Sequence, residues 1–184
     1  RPPTSSAPDP LTIDHSGILI VAALLAATIV SPSRAEAQEP LEVLGFRPGA
    51  SHAAAEAAVR SQRGRWNCRQ SAVDPRFTEC LGSIAPAGEP ALDLIASLVR
   101  DSVAVLLLSG TVTDVDLRRW RARLDARIGP ATERHSQGQV VWQWVRSGRM
   151  IRITSRAEGG TQRASVSLVD GWLLDGLGEP GPGR

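Results

Sequence analysis

The stretch QVVWQWVRSGRMIRITSR constrains the fold more than any other part of this 184-residue chain. It reads as a hairpin whose centre, Ser147-Gly148, suits a two-residue turn. Setting Arg146 opposite Arg149 fixes the register. Trp144 then faces Ile151 and Trp142 faces Ile153 on one side, while Val145–Met150 and Gln143–Arg152 share the other. Upstream, Thr113 caps a helix over 114–128, with Asp114 and Asp116 at its positive end. Leu117, Trp120, Leu124 and Ile128 recur at helical spacing in one apolar stripe, and Gly129-Pro130 stops the helix. Trp120 and Leu124 therefore pack on the tryptophan side of the hairpin.

The remaining elements extend this pattern. A turn around Glu158-Gly159-Gly160 leads to ASVSLVDG, where Val166 and Leu168 alternate with serines, and Trp172-Leu173-Leu174 follows an Asp-Gly turn. ERHSQGQ reads as a polar loop. In the first half, an extended lead-in with a Pro48-Gly49 turn precedes Ser51, the N-cap of an alanine-rich helix over 52–62 that ends at Gly64. Strands are expected over 65–70, 77–84, 91–99 and 103–109, with Arg100-Asp101 as a hairpin tip. The near-continuous apolar run VAVLLL predicts a central strand covered on both faces. A helix followed by a meander thus occurs twice, over 51–109 and 113–174, and is read as a candidate structural repeat. The expected fold class is α+β: a two-layer sandwich, an antiparallel sheet with two helices on one face, forming a single domain over 38–176 with a flexible tail over 177–184.

Residues 17–37, GILIVAALLAATIVSPSRAEA, indicate where such a domain works. An uncharged apolar run, a helix-breaking Pro32 and small residues at Ala35 and Ala37 have the layout of a secretory signal peptide. The run is shorter than the roughly 20 residues that span a bilayer, so a retained membrane anchor is not expected. RPPTSSAPDP reads as upstream sequence, and no cysteine after the apolar core supports lipid modification. The expected product begins near Gln38 and is secreted or periplasmic. Its formal charge of +3, against +2 for the whole chain, is carried by arginine alone, since the sequence has no lysine. Such a mild excess is far from the concentrated basic patches of a nucleic-acid binder, and no nucleic-acid partner is expected.

Cys68 and Cys80 are the only cysteines. In an exported protein an even pair favours a disulfide over a metal site. Asp74, followed by Pro75, is their midpoint, so WNCRQS and RFTECLG folded about that turn bring the two sulfurs together. The pair lacks the C-x-x-C spacing of redox motifs.

The segment PGASHAAAEAAVRSQRG, a turn opening a helix that leads into a meander, resembles the repeated unit of small envelope and inhibitor domains. These are the outer-membrane assembly lipoprotein family and the beta-lactamase inhibitory protein type. The resemblance covers the helix opening and the order of elements; the lipidation cysteine of the lipoprotein pattern is missing. It implies a protein-binding role without catalysis.

Catalytic motifs do not stand out. His52, at a helix start, and His135, in the polar loop, have no ligand-spaced neighbours and are expected to be exposed and idle; no metal or cofactor site is expected. Asp170 and Asp175 bracket Trp172 in VDGWLLDGL, the outline of a paired-carboxylate sugar site, while two Asp-Gly turns explain the same residues. Arg118, Arg119, Arg121 and Arg123 cover much of the 114–128 helix as a solvated face or an acidic-partner surface. Trp66 and Trp172, whose register leaves them unassigned to the core, are candidate partner anchors. Three functions follow: an exported non-catalytic domain that binds a protein or envelope component, a small envelope hydrolase using Asp170 and Asp175, or a structural envelope protein.

Overall fold

The computed structural model describes residues 40–177. The proposed leader and most of the tail lie outside them. The chain is α+β and mainly sheet: one eight-stranded antiparallel sheet in the order β1-β2-β3-β4-β8-β7-β6-β5, with three helices. The elements are α1 (His52–Ser61), β1 (Arg65–Gln70), β2 (Phe77–Ile84), β3 (Leu92–Val99) and β4 (Ser102–Val112), then α2 (Asp114–Ile128), β5 (Thr132–Ser136), β6 (Gln139–Arg146), β7 (Arg149–Glu158), β8 (Thr161–Asp170) and α3 (Gly171–Asp175).

Local chemistry accounts for the boundaries. Ser51 Oγ accepts the Ala54 amide at the start of α1. Thr113 and Asp116 form a reciprocal capping box that satisfies two otherwise orphaned amides of α2. Cys68 pairs with Cys80 across β1 and β2, and the connecting turn is tied by an Arg76 side chain on Asp74. That hydrogen bond is the chief reason the Asp74 carboxyl sits below the usual carboxylate range. Four hairpins turn through pairs with both φ angles positive: Arg100-Asp101, Gln137-Gly138, Ser147-Gly148 and Gly159-Gly160. Such turns match the twist of the flanking strands. The β6–β7 register is the expected one, with Trp144 opposite Ile151 and Trp142 opposite Ile153.

Alternation places one face of the sheet in the core. Leu94, Leu106, Leu108, Ile151, Ile153, Val166 and Leu168 are almost wholly buried. Ala55, Ala58 and Val59 of α1 and Leu117, Trp120 and Leu124 of α2 belong to the same cluster, as do Leu41 and Phe46 of the lead-in. On the opposite parity, Leu81, Ile95 and Val145 are about half exposed or more, at 52%, 47% and 63%. The VAVLLL run therefore covers one face: Leu106 and Leu108 are buried, while Val105 and Leu107 are half-buried.

Three further expectations are corrected. ERHSQGQ is not a loop; it supplies β5, which carries His135, and the Gln137-Gly138 turn. Every β5 residue is exposed, so no apolar alternation marked it. A third helix, α3, starts where Asp170 Oδ1 accepts the Leu173 amide, so the Asp170 turn is a helix cap. His52 is not fully exposed: its side chain is about one-third exposed and has three partners described below.

Candidate functional site

Three groups of side chains were singled out by the sequence, and the structure arranges them separately. The first surrounds the disulfide. Cys68 and Cys80 are joined, closing a separation of 12 residues. Cys80 is fully buried and Cys68 only partly so. His52 Nε2 lies 3.6 Å from Cys68 Sγ, and His52 Nδ1 lies 3.5 Å from Asp101 Oδ1. Each ring nitrogen thus faces an acceptor. Backbone contacts hold the arrangement: the His52 amide donates to Asp101 O at 2.8 Å, and Ser51 bridges to Ser102. Trp66 closes the other side, its ring centroid 5.5 Å from that of His52. A Cβ at Gly82, opposite Trp66, would run into the Trp66 backbone and side chain, so glycine is required there. His52, Cys68 and Cys80 have their ligand atoms within 4.8 Å of one another, but both sulfurs are spent in the disulfide and neither is a thiolate donor for a metal.

The second group is the arginine face of α2. Much of it is paired rather than free. Arg119 and Arg123 both reach Glu89 Oε1, at 3.5 and 2.5 Å, and Arg119 also holds Asp116 at 2.7 Å. Trp120 Nε1 donates to Glu89 Oε2 at 2.8 Å. Glu89 thus docks α2 onto the β2–β3 connection while its side chain is only 4% exposed. Arg121 bridges Asp125 and Glu133 and stacks its guanidinium 5.3 Å from the Trp142 ring centroid. Arg118 and Arg121 line a shallow cleft of about 250 Å³ with Leu117 and Trp142, whereas Arg123 lines a narrower one of about 80 Å³ beneath the lead-in. Both fall short of the several hundred Å³ that enclose a small organic ligand.

The third group is the VDGWLLDGL segment. Asp170 is 1% exposed; its Oδ2 accepts Arg149 Nε at 2.8 Å and its Oδ1 caps α3. Asp175 is the last residue of α3. Trp172 is 67% exposed but fixed, donating to Ser147 O at 2.8 Å across the β6–β7 turn. Among the described residues, no hydrogen bond, ion pair or ring contact joins Trp66 or Trp172 to the α2 arginines. His135 pairs with Glu133 at the exposed β5 edge, at 2.9 Å.

Sequence reading missed Glu89 and the Asp101–His52–Cys68 chain. Their partners lie far along the sequence: 30 to 34 positions for Glu89 and its α2 donors, and 16 for His52 and Cys68. Only the cysteine pair itself gave a signal. It also missed the sheet face opposite the core. Reading the register across the strands places Leu81, Ile95 and Leu107 in one row, with Val105, Val169, Met150 and Val145 in the next. These seven residues form an apolar band across β2, β3, β4, β8, β7 and β6. Arg152, Arg156 and Arg163 share its parity on β7 and β8, where Arg156 stands directly opposite Arg163.

No protein-family model, curated protein or solved structure matches this chain.

Proposed function

We propose that the chain is an exported binding domain that docks another protein or an envelope component on the sheet face turned away from α1 and α2. The observation that carries this reading is the apolar band, with Leu81, Ile95 and Val145 about half exposed or more. Contiguous apolar surface on a folded domain marks interaction sites. The like-charged pair Arg156–Arg163 is unfavourable by itself, and a partner with acidic groups beside the band would relieve it. Export is supported by the apolar leader and by a disulfide suited to an oxidising compartment.

In this reading the two long helices form one layer and the sheet the other, and the halves 51–109 and 113–174 are tandem units. Support comes from the strand order, in which each half contributes one helix and then four consecutive strands, meeting at the β4–β8 seam. No observation favours a hydrolase, since both oxygens of Asp170 serve structural bonds.

Photo-cross-linking tests the proposal. A photoreactive residue replacing Ile95 is expected to give a discrete adduct in envelope extract, and one replacing Arg60 on the outer side of α1 is not. Equal labelling from both positions, or none from Ile95, would remove the reading.

A further inference from the structure

We infer that Cys68 and Cys80 form a thiol–disulfide exchange couple, with Cys68 as the reacting sulfur and His52 and Asp101 as its proton relay. The substrate class is the cysteines of other exported polypeptides, as disulfides or dithiols. The inference stands apart from the docking face and does not depend on it.

Four observations converge on it. The two cysteines differ in burial: Cys80 is wholly buried in the core, and Cys68 is partly exposed. An attacking and a resolving cysteine need that asymmetry. An imidazole nitrogen lies 3.6 Å from Cys68 Sγ, and a carboxylate lies 3.5 Å from the other ring nitrogen. Catalytic contacts of this length commonly tighten when substrate binds. An adjacent imidazolium lowers a thiol pKa well below the ~8.5 of a free cysteine. Finally, the arrangement is imposed by the backbone. Asp101 is held in the left-handed region at φ 61 by the hairpin tip, and its carbonyl accepts the His52 amide. Among the described residues, the titratable groups hydrogen-bonded, ion-paired or disulfide-bonded to the Cys68 or His52 side chain are each other, Asp101 and Cys80.

The steps balance as follows. In the reduced protein Cys68 is a thiolate beside the His52 imidazolium, and Cys80 is a thiol. Cys68 Sγ attacks one sulfur of a substrate disulfide, forming a mixed disulfide and expelling the other substrate sulfur as a thiolate. His52 gives that thiolate its proton. The neutral imidazole then takes the Cys80 proton, and Cys80 Sγ attacks Cys68 Sγ. The intramolecular disulfide forms, and the second substrate sulfur leaves and is protonated by His52. Two electrons and two protons pass from the protein dithiol to the substrate; the reverse sequence oxidises a substrate dithiol.

Alkylation of the reduced, full-length protein provides the test. Thiols are trapped with iodoacetamide between pH 5 and 9, and each modified cysteine is located by mass spectrometry. Cys68 is expected to react first, with a midpoint at least about one unit below the free-thiol value. His52→Gln should slow its alkylation near pH 6.5 about tenfold, the factor that such a shift represents. Asp101→Asn should slow it less. A wild-type Cys68 midpoint at or above the free-thiol value overturns the inference, whether or not the variants fold. So does equal reactivity in wild type and His52→Gln, or Cys80 reacting first. Circular dichroism of the reduced protein should still show the sheet; its loss would mark the disulfide as a staple and also overturn the inference.

Discussion

Glu89 shows how one side chain decides where a helix sits. Its nearly buried carboxylate receives Arg119, Trp120 and Arg123 at once, the two arginines from the face of α2 that the sequence marks as solvated and the indole from its apolar stripe. A glutamine there keeps one acceptor oxygen but loses the charge and the second acceptor shared among these donors, and hydrogen bonds to charged groups are worth about 2 kcal/mol. Glu89→Gln should therefore lower unfolding stability by about that amount in a urea titration. Glu56→Gln, which breaks only the exposed Glu56–Arg60 pair, should change it by less than about 0.5 kcal/mol. The disulfide acts at the same scale. Reduction should cost about 3 kcal/mol of stability by freeing a short loop in the unfolded chain, measured as the difference between oxidised and reduced urea midpoints. Glu89 was not legible in the sequence, because a lone carboxylate between Gly88 and Pro90 reads as a turn residue. Its donors come from a different element. The cysteine register was legible, since the Asp74-Pro75 turn is its centre of symmetry.

Caps and turns govern the elements. The Thr113–Asp116 box contributes about 1 kcal/mol, so Thr113→Ala should cost about that much. Its pH dependence has a definite sign. The Thr113 hydroxyl, then the Thr113 amide, hold the Asp116 carboxyl below the usual carboxylate range. A depressed native pKa contributes stability that is fully present above the unfolded value, near pH 4, and is lost as pH falls through the native value. Asp116→Asn should therefore reduce stability at neutral pH and flatten its decline below pH 4, as followed by thermal unfolding across a pH series. At the β6–β7 turn, Gly148 combines a φ of 71 with a Cβ position occupied by the Trp172 indole. Gly148→Ala should cost about 1 kcal/mol or more. Long elements were legible: α2 through its cap and stripe, β6 and β7 through their turn. The elements missed lack a buried face or length. β5 has TERHS exposed throughout, and α3 is only five residues, too short to show periodicity.

At the scale of the whole molecule, the two faces of one sheet differ. Its inner face, with Leu106, Leu108, Ile151 and Ile153, meets the helices; its outer face presents the apolar band. The composition of single strands did not reveal that division, because a band crossing six strands exists only once their registers are known. A deep core under the inner face should make the outer face tolerant of polar substitution, since exposed positions away from packing change stability by about 0.5 kcal/mol or less. Binding and folding can therefore be separated.

The most direct measurement combines both. The double variant Ile95→Arg, Val145→Glu is compared with wild type for its thermal unfolding midpoint and for its retention by isolated envelope. The expected result is a midpoint near that of wild type with retention lost. Retention at the wild-type level by a folded variant would contradict the assignment of the outer sheet face as the working surface.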